Sequence, residues 1–228
     1  AADLLSQLLQ VRDSETGAAM SDRELRDELM TFFLAGHETT AVGLAWAWWY
    51  LAQAPEIQDT LAGEAAALGG QPSTLEELSR VPSAENVFAE ALRLRPPVYM
   101  WPRRAMMEQT IGDYVVPAGT CLLVSQWVTH RDRRWWPEPE RFDPGRWLPE
   151  RRATQPRGAY FPFNRGARRC IGETFAWMEA QVVLATIAQR WHVSLVPGGA
   201  PIMPAARVTL RPRDGVPLFV TRRPPASQ

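Results

Sequence analysis

At 228 residues, with 46% hydrophobic residues and a formal net charge of zero, the chain has enough apolar material to bury a core, and its composition is neither that of a disordered segment nor that of a nucleic-acid binder. Two cysteines exclude a disulfide framework and fit a reducing, cytoplasmic setting. Neither a signal peptide nor an unbroken apolar span long enough for a bilayer is present, and the absence of Lys among the basic residues carries no functional meaning.

The chain opens on Ala1-Ala2-Asp3-Leu4-Leu5, which reads as the end of a helix. A long core helix is expected over about 22–53, started by a Ser21/Glu24 capping box and closed before Pro55. Phe32, Phe33, Leu34, Val42, Leu44, Trp46, Trp48 and Trp49 leave it so little polar surface that most of it should be buried. Gly36 costs such a helix about 1 kcal/mol relative to Ala, which suggests a close approach to the backbone there. Thr39 shares its face and can return a hydrogen bond to the Ala35 carbonyl. Taken alone, Ala35-Gly36-His37-Glu38-Thr39-Thr40 is better read as ordinary helix packing with a Gly for helix contact. Gly63 to Pro72 reads as a helix end and loop.

A second helix is expected over about 83–95, closed by Pro96 and Pro97, with Glu90 and Arg93 on one face. An exposed pair of this kind would say nothing, but Val87, Phe88, Leu92 and Leu94 suggest burial, and a buried pair needs further partners. Arg141, in Pro139-Glu140-Arg141-Phe142, is the natural third member. From about 98 to 160 we expect a β region followed by irregular chain. Trp101-Pro102-Arg103-Arg104-Ala105 leads into extended stretches around Tyr114–Val116 and Cys121–Val128, separated by a Pro117–Thr120 turn. Alternation puts Arg103 and Arg104 on opposite faces, and a solvated Arg pair is the plain alternative. Trp135 to Trp147 holds too many prolines for regular structure. A loop over 161–172, a helix to about 190, a terminal β segment over 191–222 and a low-complexity tail from Arg222 to Gln228 complete the chain, with no internal repeat.

The loop Phe161-Pro162-Phe163-Asn164-Arg165-Gly166-Ala167-Arg168-Arg169-Cys170-Ile171-Gly172 holds the most chemistry. It places a cysteine at the mouth of a helix expected from about Ile171, where unpaired N–H groups and the positive end of the dipole favour a thiolate able to ligate a metal. Gly166 permits a tight turn, Gly172 a close backbone approach, and Arg168 can meet an anionic group beside the metal. A lone cysteine is otherwise a small buried apolar residue. A zinc site would need clustered Cys or His ligands, and only Cys121 and three scattered histidines remain.

The spacing F-x-x-G-x-R-x-C-x-G resembles, position for position, the haem-binding signature of the cytochrome P450 family. The Ala35–Thr40 segment resembles that family's oxygen-activation motif, Glu90-x-x-Arg93 with Arg141 its structural Glu-Arg-Arg triad, and Trp135 to Trp147 its meander. The resemblance implies a mainly α fold with a small β region: the carboxyl-terminal half of the P450 fold, from core helix to haem-ligand loop and final helix, as one partial domain over 1–228. It implies haem b, iron protoporphyrin IX, with Cys170 as axial thiolate. Arg168 and Arg103 would contact the propionates, with Phe163, Gly166, Gly172 and Ala35 at the cofactor. Thr39, Glu38 and Gly36 would serve proton delivery to dioxygen on the opposite side of the iron.

The implied activity is insertion of one oxygen atom from dioxygen into a small hydrophobic substrate. Electrons would come from a ferredoxin- or flavodoxin-type donor or a reductase, with no nucleic acid involved. Arg165, Arg168 and Arg169 could form a basic docking face, although solvated or haem-directed arginines explain them equally. A peroxide-using, isomerase or dehydratase relative, or a non-catalytic half, are the alternatives. Relatives of the first kind usually depart from the acid–Thr pair that this chain keeps as Glu38-Thr39. The amino-terminal half of the fold is missing from the resemblance, so the chain is expected to be a fragment that associates and holds haem weakly when alone.

Overall fold

Prolines and capping side chains set most of the helix boundaries in the computed structural model, which describes residues 3–70, 72 and 74–224. α1 (Leu4–Gln10) is capped by Asp3, and α2 (Asp22–Leu51) starts with the expected capping box: Glu24 Oε2 accepts the Ser21 N–H at 2.8 Å and Ser21 Oγ accepts the Glu24 N–H at 3.3 Å. α3 (Pro55–Ala66) carries proline at its first turn, where the missing N–H costs nothing. α4 (Leu75–Ser79) has a second capping box, Thr74 with Glu77, and α5 (Pro82–Leu94) again starts on proline.

β1 (Trp101–Arg104), β2 (Gln109–Ile111), β3 (Tyr114–Val116) and β4 (Cys121–Val124) follow. The extended run expected to Val128 ends early: the Ser125 hydroxyl accepts the Val128 N–H and starts α6 (Gln126–Thr129). The proline-rich stretch holds turns, one 3-10 turn at Pro144–Trp147 and then α7 (Pro149–Arg152). α8 (Glu173–Arg190), β5 (Trp191–Leu195), β6 (Pro204–Ala206), β7 (Leu210–Pro212) and β8 (Leu218–Arg222) complete the order. Strands pair in antiparallel twos, β1 with β4, β2 with β3, β5 with β8 and β6 with β7. Of the expected loop and tail, Gln71 and residues 225–228 lie outside the described residues, as do Ala1 and Ala2.

Two compact units result, Ala1–Thr39 and Thr40–Gln228. In the first, burial is light: Phe33 and Leu34 are 64% and 63% exposed. The expectation of a mostly buried core helix is therefore corrected, since the buried residues of α2 run only from Thr40 to Leu51. Composition states what a helix needs covered, not which of its turns the rest of the chain covers.

In the second unit, the end of α2 with α3, α5 and α8 encloses one core, including Leu51, Leu61, Val87, Phe88, Leu184 and Ala188. Each buried Leu or Phe contributes about 1.5–3 kcal/mol. Trp46 and Trp48 are buried here, in keeping with the apolar character of that end of α2. Within the protein itself, the close helix contact of α2 is at Gly43 rather than at Gly36. No described atom is within 4 Å of a Cβ built on Gly36, whereas one on Gly43, two turns later, would meet Phe88 Cε2 at 3.0 Å and Leu92 Cδ2 at 3.4 Å. Among the described residues no helix is long and apolar enough to cross a membrane.

Candidate functional site

The loop before α8 is shaped by two left-handed residues, Asn164 at φ 63° and Gly166 at φ 68°. The glycine takes that conformation without steric cost, and the short turn Gly166–Arg168 follows. Phe161 O accepts the Asn164 N–H at 3.0 Å, and Phe163 O accepts the Cys170 N–H at 2.9 Å, so the loop closes on its own lead-in. Phe163 packs against Trp177 of α8, ring centroids 5.7 Å apart. Cys170 is an exposed free thiol. α8 begins at Glu173 rather than near Ile171, with Gly172 as its cap, so the sulfur sits one step further from the helix than anticipated. A Cβ on Gly172 would lie 3.9 Å from Cys170 Sγ, an ordinary van der Waals contact. Arg168 is exposed and makes no ion pair among the described residues, whereas neighbouring Arg169 is held by Glu173 at 2.6 Å.

Behind this loop lies a buried polar network on α5. Glu90 and Arg93 are fully buried and pair at 2.8 Å. Glu90 Oε1 also accepts the Asp143 N–H at 3.0 Å and Arg146 Nε at 3.3 Å, and Oε2 accepts the indole N–H of Trp147 at 3.1 Å. Arg93 donates to the backbone oxygens of His130, Pro139 and Arg141. The third arginine is thus Arg146, not Arg141: Arg141 enters through its carbonyl while its guanidinium is exposed beside Glu138. Pro144-Gly145-Arg146-Trp147 repeats the Pro-x-Arg-aromatic pattern of Pro139-Glu140-Arg141-Phe142 five residues later. That second run is the sequence signal for Arg146. Phe142 instead stacks flat on Tyr50, centroids 4.7 Å apart.

Two further residues join the network without having been singled out by the sequence. His130 is fully buried and its Nε2 accepts the Phe161 N–H at 3.0 Å. Burial, then the charges of Arg93 and Arg131, push its pKa down to about 3. Tyr160 donates its hydroxyl to Ala89 O at 3.0 Å, and burial raises its pKa well above the ordinary phenol value.

On β1 the burial alternates, with Arg103 half-buried on the face of Trp101 and Arg104 exposed opposite Cys121. Arg103 Nη1 donates to Pro102 O at 2.8 Å, leaving most of its fork for another acceptor. In α2, Thr39 Oγ1 donates to Ala35 O at 2.6 Å, the local bond expected of that face. His37 stacks on Phe33, centroids 5.8 Å apart. Glu38 follows it in the same helix.

The donor set fits haem. A bare metal ion needs three or four protein ligands, and no group of three His, Cys, Asp or Glu able to hold one exists among the described residues. One accessible sulfur in the loop, with an arginine two residues before it that makes no ion pair among the described residues, suits a metal that brings its own equatorial nitrogens and carries carboxylates.

The comparisons agree with this geometry. Cyclooctatin synthase of Streptomyces melanosporofaciens is 43% identical over 197 residues, which is 86% of this chain and 43% of that protein. Cyclooctat-9-en-7-ol 5-monooxygenase of the same organism is 41% identical over the same shares. The crystal structure of the cytochrome P450DA heme domain superposes with a TM-score of 0.89 at 32% identity, covering 98% of this chain and 50% of that one. The chain spans about half the length of the curated relatives it matches. The family model for Cytochrome P450 matches residues 1–219, and with the cysteine loop, the buried Glu-Arg network and the superposition in agreement, the chain belongs to the cytochrome P450 family.

Proposed function

We propose that this chain supplies the thiolate side and the proton-delivery helix of a haem-thiolate monooxygenase. The full reaction is insertion of one oxygen atom from dioxygen into a small hydrophobic substrate, with electrons from a ferredoxin- or flavodoxin-type donor or a reductase and a cytoplasmic setting. The observation that carries this reading is Cys170: an exposed thiol at the end of a closed loop, anchored through Phe163 O, with no group of three His, Cys, Asp or Glu able to hold a bare metal ion among the described residues. When bound, haem supplies dioxygen activation, and a thiolate ligand adds the electron density that favours O–O cleavage.

The protein's own groups bind, orient and move protons. Arg168, exposed and without an ion pair among the described residues, and Arg103, whose fork is only partly used, would hold the propionates. Gly166, Gly172 and Ala35 would allow close approach, and Phe163, packed on Trp177, would present an apolar ring to the cofactor. Thr39 has committed its own proton to Ala35 O, so what it offers is oxygen lone pairs that accept a hydrogen bond from an incoming proton donor. Glu38 beside it is the group that replenishes the proton. A relative is named for monooxygenation of cyclooctat-9-en-7-ol, and a cyclic alkenol is the substrate class we infer.

Carbon-monoxide difference spectra of the reduced, full-length protein test the ligand. The thiolate-type Soret band should persist in Cys121→Ser and vanish in Cys170→Ser; its survival in the latter refutes the assignment. Thr39→Ala should keep haem and substrate binding but divert electrons into peroxide. Product formed per reduced nicotinamide consumed measures this, and unchanged coupling returns Thr39 to helix packing.

A further inference from the structure

His130 lies outside both the thiolate loop and α5, yet it joins them. Its carbonyl accepts Arg93 Nη1 at 2.8 Å, and its ring Nε2 accepts the Phe161 N–H at 3.0 Å. The ring stands edge-on to Phe161, centroids 5.2 Å apart at 75°, and leans on Tyr160 at 5.1 Å. From Phe161 the path continues through the Asn164 N–H and then from Phe163 O to the Cys170 N–H. Between the buried network and the ligand loop, one imidazole lone pair therefore holds the loop's first residue.

We propose that His130 is a positioning residue for Cys170: as a neutral Nδ1–H tautomer it pins Phe161 to the Glu90–Arg93 network and so sets where the loop holds the sulfur. The tautomer follows from the geometry. Nδ1 makes no hydrogen bond of good geometry among the described residues but lies near the backbone of Leu92 and Arg93, which favours a proton on it, whereas the opposite tautomer would aim a second N–H at the Phe161 N–H across 3.0 Å. A protonated ring has no lone pair for Phe161 at all, and burial with the charges of Arg93 and Arg131 keeps the ring neutral well below neutral pH. For its consequence at the metal this rests on the haem-thiolate reading; the bond to Phe161 does not.

The tautomer is read by nitrogen-15 NMR of the histidine-labelled full chain, with His37→Gln and His192→Gln to assign the three histidines. An unprotonated Nε2 at neutral pH is expected, and an Nε2–H ring overturns the proposal. The positioning is read by His130→Phe, which keeps ring volume but removes the acceptor, and by His130→Gln, whose amide oxygen restores one. In the full chain without added haem, the alkylation rate of Cys170 relative to Cys121 should rise about fivefold or more in His130→Phe, the equivalent of one lost hydrogen bond, and return to within about twofold of the parent in His130→Gln. In the haem-loaded protein, His130→Phe should lose part of the thiolate-type carbon-monoxide band and His130→Gln should keep it.

A role confined to stability would lower the melting temperature in both variants and leave the alkylation ratio alone. A ratio in His130→Phe within about twofold of the parent refutes positioning. Should His130→Phe fail to fold, the tautomer decides. Failure of the haem reading shows separately, as a thiolate band surviving in Cys170→Ser, because neither the tautomer nor the alkylation ratio needs haem.

Discussion

Glu90 and Cys170 belong to one connected region and are treated in opposite ways. Glu90 is fully buried, and its carboxylate accepts from Arg93, Arg146, Trp147 and the Asp143 backbone. Cys170 is exposed, and its loop is held by a few backbone bonds and the Phe161 link to His130. A buried carboxylate with fewer partners would be an uncompensated charge, so the network has to be complete to exist. A thiol that serves as a ligand has to keep one side open. The first kind of site therefore determines stability, and the second determines binding.

Substitutions should separate along that line. The largest contrast is Cys170→Ser: thiolate-type haem ligation should be lost outright, while denaturant unfolding of the chain changes by less than about 0.5 kcal/mol. Glu90→Ala should do the reverse by leaving Arg93 and Arg146 buried without a counter-charge, a loss of about 3–5 kcal/mol in urea unfolding. A Glu90→Ala protein as stable as its parent would show that the network is ornamental.

The next contrast sharpens the choice between the two Pro-x-Arg-aromatic runs. Arg146→Ala should cost about 2–3 kcal/mol by removing a buried partner of Glu90, and Arg141→Ala less than about 0.5 kcal/mol, because its side chain pairs only with Glu138 at the surface. Equal effects in thermal melts would contradict the register. In α2, Gly43→Ala should cost about 1–3 kcal/mol through overpacking against Phe88, whereas Gly36→Ala should be neutral or stabilising by up to about 1 kcal/mol.

The last effect is a slope with pH. The folded pKa of His130, about 3, lies below the ordinary value of 6.5, so between these values the unfolded chain binds a proton that the folded chain does not. Stability should fall as pH is lowered from about 6.5 towards about 3, by at most about 1.4 kcal/mol per unit from this residue. His130→Gln should flatten that part of the curve, and an unchanged slope would place its cause in other groups.

What could be read from residue order is what neighbours in the chain decide. The Ser21/Glu24 box, the turn at Gly166, the Thr39 bond to Ala35 and the Glu90–Arg93 pair all join residues three or four apart, or need one dihedral that glycine provides, and such interactions form wherever the local backbone allows. The loop spacing around Cys170 was legible for the same reason. Arg146 was not, because Pro139–Phe142 and Pro144–Trp147 present the same residue types, and only the path of the chain over α5 selects which guanidinium reaches Glu90. Nor was the choice of Gly43 over Gly36 as the contact glycine, since both lie on one face of α2 and only Phe88, 45 positions further on, distinguishes them. His130 had no local mark at all. Its partner is 31 residues away, and a lone histidine becomes an acceptor only where folding buries it against a particular N–H. The sequence by itself determined the cysteine loop, the caps and the helix pair; the tertiary structure decided which distant side chains complete them, because burial and hydrogen-bond reach depend on three-dimensional distance and not on separation along the chain.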